Sequence, residues 1–192
     1  MKNNRLCHSC GYTLFELLIT LAIMAILAML VLPSGLAWLR QAEARKVENQ
    51  LPQLLRNARA HALSQRDRLG VCGSSSGQGC DGQWQKGLLT FRDLNQDSQK
   101  QPEEAVVDFL PLDLRYGTLS WRAAGGRTVI IYQAANGLPL ASNGSLVYCT
   151  FDHNPRLYRQ VILSMMGHVD ASRDQNGDGL YEGTDGKPIN CA

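Results

Sequence analysis

Histidine is sparse in this 192-residue chain, four in all. His8, His61, His153 and His168 stand apart, and none falls in a Ser/His/Asp or Cys/His arrangement. Nucleophilic catalysis has no residues to run on, and we expect no enzyme. Charge of one sign is lacking too. Nineteen basic residues face 17 acidic ones, a formal net charge of +2. Such a balance gives no overall electrostatic bias toward nucleic acid or anionic lipid, so either could be bound only by a local patch. Long internal repeats and low-complexity linkers are also absent. The length suits one domain plus an anchor.

What the chain does have is a long apolar run. From Leu17 to Leu32 every residue is apolar except Thr20. As a helix, Tyr12 to Leu32 would measure about 31 Å at the usual rise per residue. That matches a hydrocarbon core about 30 Å thick. One carboxylate, Glu16, stands near the start of the run. An ionisable group there is costly and needs a partner.

Gly11-Tyr12-Thr13-Leu14-Phe15-Glu16 resembles the processing site of type IV pilins and type II secretion pseudopilins. The resemblance implies cleavage between Gly11 and Tyr12 by prepilin peptidase, N-methylation of Tyr12, and an assembly role for Glu16. Tyr12 departs from the phenylalanine usual in that family. A freed α-ammonium is a natural counter-charge for a buried carboxylate. The leader, residues 1–11, is short and polar, and the apolar run follows the cut, unlike a secretory signal peptide. Losing Lys2 and Arg5 with it leaves 17 basic against 17 acidic residues. Those two residues favour a cytoplasmic N-terminus. The implied place is the inner membrane, crossed once, with a periplasmic head, and then the pilus.

The expected organisation is a leader (1–11), a transmembrane and filament-core helix (12–32), its amphipathic continuation (33–66) and a β-rich head (67–192). The fold class is α+β: a long N-terminal helix packed on an antiparallel sheet. Pro33-Ser34-Gly35 should kink or loosen the helix, and Pro52 should bend it again. Val47, Leu51, Leu54, Leu55, Ala58 and Ala62 recur at helical spacing. Arg40, Arg45, Lys46, Arg56 and Arg59 read as a solvated face. Strands are expected at Leu69–Cys72, Gly87–Arg92, Ala105–Leu110, Thr118–Arg122, Thr128–Gln133, Leu146–Phe151 and Leu157–Ser164. Asn136-Gly137 and Asn143-Gly144 mark turns. Trp84, Tyr132 and Phe151 read as core.

Arg56–Arg66, Trp84-Gln85-Lys86-Gly87 with Phe91-Arg92-Asp93, Val129–Gly137 and Val161–Gly167 resemble segments of FimT- and FimU-type minor pilins and of pseudopilin H. This implies a minor pilin that primes pilus assembly or sits at the tip. Its partners would be other minor pilins, the major pilin, prepilin peptidase and the inner-membrane assembly platform. A type II secretion pseudopilin is the alternative, and a DNA-binding pilin for natural transformation is another. Against the last, Gly167-His168-Val169-Asp170 stands where FimT-type DNA binders carry Gly-Arg-x-Arg. From His168 onward five acids face two basic residues, a balance that repels phosphate. Arg156 and Arg159 are the one candidate basic patch, and nucleic acid is not expected as a partner.

Six cysteines are present. Cys7-x-x-Cys10 lies in the leader. Cys72, Cys80, Cys149 and Cys191 make an even set on the exported side, which suggests two disulfides in any of three pairings. We favour Cys72–Cys80 and Cys149–Cys191 over zinc, whose paired C-x-x-C units are missing. No cofactor is required, but calcium is a candidate. Asp174-Gln175-Asn176-Gly177-Asp178-Gly179 reads as D-x-N-x-D-G, the start of an EF-hand-type loop. Its ligands would be Asp174, Asn176, Asp178, the carbonyl of Leu180, Glu182 and Asp185. A weaker echo runs from Asp93-Leu94-Asn95-Gln96-Asp97 to Glu104, with Ser98 where glycine is usual.

Overall fold

The computed structural model describes residues 12–140, 143–183 and 185–191, without the side chains of 30–34. The leader, with Gly11, Cys7 and Cys10, lies outside the described residues. Backbone packing divides the chain into two compact units, Met1–Leu39 and Arg40–Ala192.

One helix, α1, runs Leu14–Gln65. The helix continues through Pro33-Ser34-Gly35 and Pro52, so neither proline ends it. Thr13 caps its start: the Thr13 hydroxyl accepts the Glu16 backbone N–H at 3.2 Å. In the first unit the described apolar side chains are exposed, Phe15 at 71% and Met24 at 67%. Among the described residues no helix is long and apolar enough to cross a membrane. The expected span ends at Leu32, and the side chains of its last three residues are among those not described.

In the second unit, Val47, Leu51, Leu54, Leu55, Ala58 and Ala62 are all buried, as their spacing requires, and Ala44 joins them. Among the described residues eight strands follow: β1 (Leu69–Gly73), β2 (Gly87–Arg92), β3 (Val106–Pro111), β4 (Gly117–Ala123), β5 (Ile130–Tyr132), β6 (Gly144–Thr150), β7 (Arg159–Leu163) and β8 (Val169–Ala171). They form two antiparallel four-stranded sheets, ordered β3-β2-β1-β5 and β4-β6-β7-β8. Helix and both sheets share one core, to which Leu55, Val71, Leu88, Ile130, Leu146 and Val161 contribute. Strand β1 is buried at every residue. Its two faces serve different clusters, with Leu69 and Val71 in the shared core and Cys72 beside Leu89 and Phe91. A third cluster, Val147, Tyr158 and Ile189, puts C-terminal residues over the other face of the second sheet.

Three points differ from or add to the expectations. Residues 141 and 142, before the Asn143-Gly144 turn signal, lie outside the described ones, and Gly144 already pairs in β6. A Cβ there would lie 2.5 Å from the Arg122 carbonyl, so close strand approach explains the glycine. Phe151 is 61% exposed and not core, since β6 ends one residue earlier. Strand β8 was not foreseen.

Candidate functional site

The N-terminal segment presents Tyr12, Glu16, Leu17 and Thr20 around one shallow pocket. Glu16 lies in the first helical turn, where the helix dipole favours negative charge. The Thr13 cap engages the backbone of Glu16 and leaves the carboxylate exposed. Tyr12 is 84% exposed. The surface on offer is therefore apolar on all sides with one carboxylate near its end.

The basic residues on α1 prove to be docking groups, which corrects their reading as a solvated face. Lys46 Nζ donates to the Leu112 carbonyl at 2.7 Å. Arg56 donates to the carbonyl of Val169 at 2.9 Å, and Arg59 to that of Gly167 at 2.7 Å. Arg40 pairs with Asp152 at 2.7 Å. Arg45 lies on the exposed side, and Arg56 is exposed while it makes its contact. Leu112 and Gly167 lie between strands and Val169 begins the edge strand β8, and long cationic side chains reach their carbonyls.

Two acids on α1 complete this seam, and sequence reading missed both. Glu43 accepts from the backbone N–H groups of Arg115 (2.6 Å) and Tyr116 (2.9 Å) and from the Tyr148 hydroxyl (2.7 Å). It thus fixes the entry to β4. Burial and the Glu43 carboxylate push the Tyr148 hydroxyl well above the ordinary tyrosine range. Glu48 accepts from Arg159 Nε at 3.0 Å. Arg159 is 1% exposed, donates to the Arg156 and Tyr158 carbonyls, and stacks 3.5 Å over the Tyr181 ring. A buried, fully engaged guanidinium cannot meet phosphate, so the Arg156/Arg159 patch is not formed. The signal for both pairs was weak: lone acids set among the basic residues of a helix.

Disulfides join Cys72 to Cys80 and Cys149 to Cys191. The second ties the C-terminal tail to β6. In that tail Asp174, Asp178 and Glu182 converge, each offering an oxygen within 4.8 Å of the others. Asn176 stays in the loop and accepts the Asp178 N–H at 2.9 Å. Asp185 turns instead to the Lys187 N–H at 3.2 Å, and Leu180 donates its N–H to Asp178 at 2.7 Å. Gly179 has φ of 85°, the bend its place in the motif demands. The echo loop is organised differently. Asp93 is 2% exposed and pairs with Arg68 Nε at 2.7 Å. Arg68 Nη2 also reaches the Gln96 carbonyl at 3.3 Å and Ser98 Oγ at 3.0 Å. Glu104 accepts the Leu94 N–H at 2.8 Å and the Gln101 N–H at 2.9 Å, closing the loop on itself.

Comparison with known proteins places these features. The family model described as type II transport protein GspH matches residues 49–167. The prokaryotic N-terminal methylation motif matches residues 7–32, which contain Gly11, Tyr12 and Glu16. That motif marks a membrane-anchored pilin precursor. No curated protein matches the chain. Among solved structures, the type IV minor pilin FimU of Pseudomonas aeruginosa superposes with a TM-score of 0.52 at 18% identity, covering 69% of this chain and 90% of that one. The minor pseudopilin EpsH from the type 2 secretion system of Vibrio cholerae gives a TM-score of 0.48 at 13% identity, covering 67% and 95%. The likeness to FimU is one of fold.

Proposed function

We propose a role that starts from membership: this chain belongs to the family of type II transport protein GspH, is a pilin-like minor subunit, and serves in a type IV pilus. In this reading it is not a catalyst but a substrate of prepilin peptidase, which cuts between Gly11 and Tyr12. The head then lies in the periplasm while the apolar helix crosses the inner membrane, until the subunit joins other pilins. It primes assembly or sits at the tip.

The observation that supports this is the first helical segment. Its described apolar side chains are exposed and its one carboxylate, Glu16, is exposed with them. Such a surface is stable only in lipid or against other subunits. There Glu16 needs a counter-charge, and the α-ammonium of Tyr12 in a neighbouring subunit supplies one. Removing one member of a buried ion pair costs about 3–5 kcal/mol. Glu16→Ala should therefore lower incorporation into filaments more than 100-fold, read by immunoblot of sheared filaments, with unchanged membrane levels. Incorporation at the wild-type level would sink the assembly role. N-terminal sequencing of the mature protein should begin at N-methylated Tyr12.

A type II secretion pseudopilin is the second reading, favoured by the description of the matching family. Crosslinking in cells separates the two: pilins among the products support the pilus, and secretion components support the alternative. DNA capture has little support, since Arg159 is buried and the tail is acidic.

A further inference from the structure

We propose that the C-terminal loop 174–182 is a calcium site, ligated by Asp174, Asp178 and Glu182. Their oxygens lie within 4.8 Å of one another. That span fits a cation held at about 2.4 Å from each. Convergence of exposed acids alone would mean little. The decisive group is Glu182, which is 4% exposed. One of its oxygens accepts the Gln175 N–H at 2.8 Å. The other, Oε1, is buried with no hydrogen-bond partner. A desolvated carboxylate oxygen left this way is costly. Among the described residues no lysine or arginine forms an ion pair with any of the three. Arg156 passes 3.7 Å from the place of a Cβ on Gly179, but it does not close the charge.

The related loop at 93–104 also keeps one buried oxygen without a hydrogen-bond partner, Asp93 Oδ1, but its charge is met from within the chain. It opens with the same D-x-N-x-D pattern, and there the chain supplies its own cation, Arg68. The C-terminal loop has the carboxylates without the guanidinium, so the positive charge must come from solution. Oxygen donors, a flexible Asn/Gly turn and no nitrogen or sulfur ligand select a hard divalent ion, calcium over magnesium. The loop lies beyond residue 167, where the family match stops. An ion on Glu182 would also order its neighbours. Glu182 bridges to both Arg173 and Pro188, and Tyr181 beside it carries the Arg159 guanidinium.

The test uses the full mature chain in detergent. Equilibrium dialysis with radioactive calcium should give one ion per chain. Calcium at about 100 times its dissociation constant should raise the melting temperature by roughly 5 °C over chelator. Asp178→Asn, at an exposed position, should abolish both readouts while melting like wild type in chelator. Asp97→Asn, in the loop closed by Arg68, should leave both unchanged. The proposal falls if no calcium binds at millimolar concentration. It falls equally if Asp178→Asn still binds, if Asp97→Asn abolishes binding, or if magnesium gives an equal shift.

Discussion

Glu43 shows how much one side chain on the helix can hold. Its carboxylate takes three donors from two parts of the head. Glu43→Ala leaves two N–H groups and a hydroxyl short of an acceptor. The expected cost is about 2–3 kcal/mol in urea unfolding, against well under half of that for exposed Arg45→Ala. The same site sets a behaviour at high pH. Burial raises the hydroxyls of both Tyr132 and Tyr148 above the ordinary tyrosine value of 10, with Glu43 adding to the effect on Tyr148. For a group whose folded value is raised, the stability it contributes is whole below the unfolded value and is lost as pH rises past it. Alkaline titration followed at 295 nm should therefore show two of the six tyrosines ionising only as the chain unfolds, above about pH 10. Asp152 works at the other end. Hydrogen bonding from Thr150 first, then from the Asn154 backbone with Arg40 nearby, holds its carboxyl below the ordinary value of 3.8. Its contribution is present above that value and goes as the pH falls below it. Asp152→Asn should lower the neutral plateau and so flatten the acid limb of the stability curve, with stability at low pH nearly unchanged.

The elements were largely legible, and for identifiable reasons. Seven of the eight strands carry enough β-branched and aromatic residues between turn signals to be placed in advance. Strand β8 was missed because it is three residues long, Val169-Asp170-Ala171, and has only one buried position. Pro52 stands inside α1, which continues through it, since packing of Leu51, Leu54 and Leu55 outweighs one absent hydrogen bond. The basic residues of α1 looked solvated because nothing in a sequence shows which carbonyls will lie opposite. The two disulfides should differ in weight. Cys149–Cys191 spans 42 residues and Cys72–Cys80 spans 8. Loop-closure entropy then predicts a loss of about 4 kcal/mol for the Cys149→Ser/Cys191→Ser pair and about 2.5 kcal/mol for the other pair. Guanidinium unfolding of the two double variants checks the order.

At the scale of the whole molecule, the two compact units answer to different environments. The second has its own shared core, two disulfides and a tail over one sheet. The first offers apolar side chains outward and is completed by whatever surrounds it. Its family resemblance was readable from six residues, Gly11 to Glu16, which lie within the matched N-terminal methylation motif. The C-terminal loop was half readable. The motif named Asp174, Asp178 and Glu182, but only folding showed Glu182 to be the buried one and turned Asp185 to the Lys187 N–H.

The grip of Lys46, Arg56 and Arg59 falls on main-chain oxygens of Leu112, Val169 and Gly167. Such a dock reads the path of the backbone and is blind to the letters attached to it. The seam can therefore survive wide drift in the residues it touches, so long as the chain keeps its course. Saturation mutagenesis should find those three positions limited by core fit or turn shape alone, and Arg56 and Arg59 intolerant of any uncharged replacement.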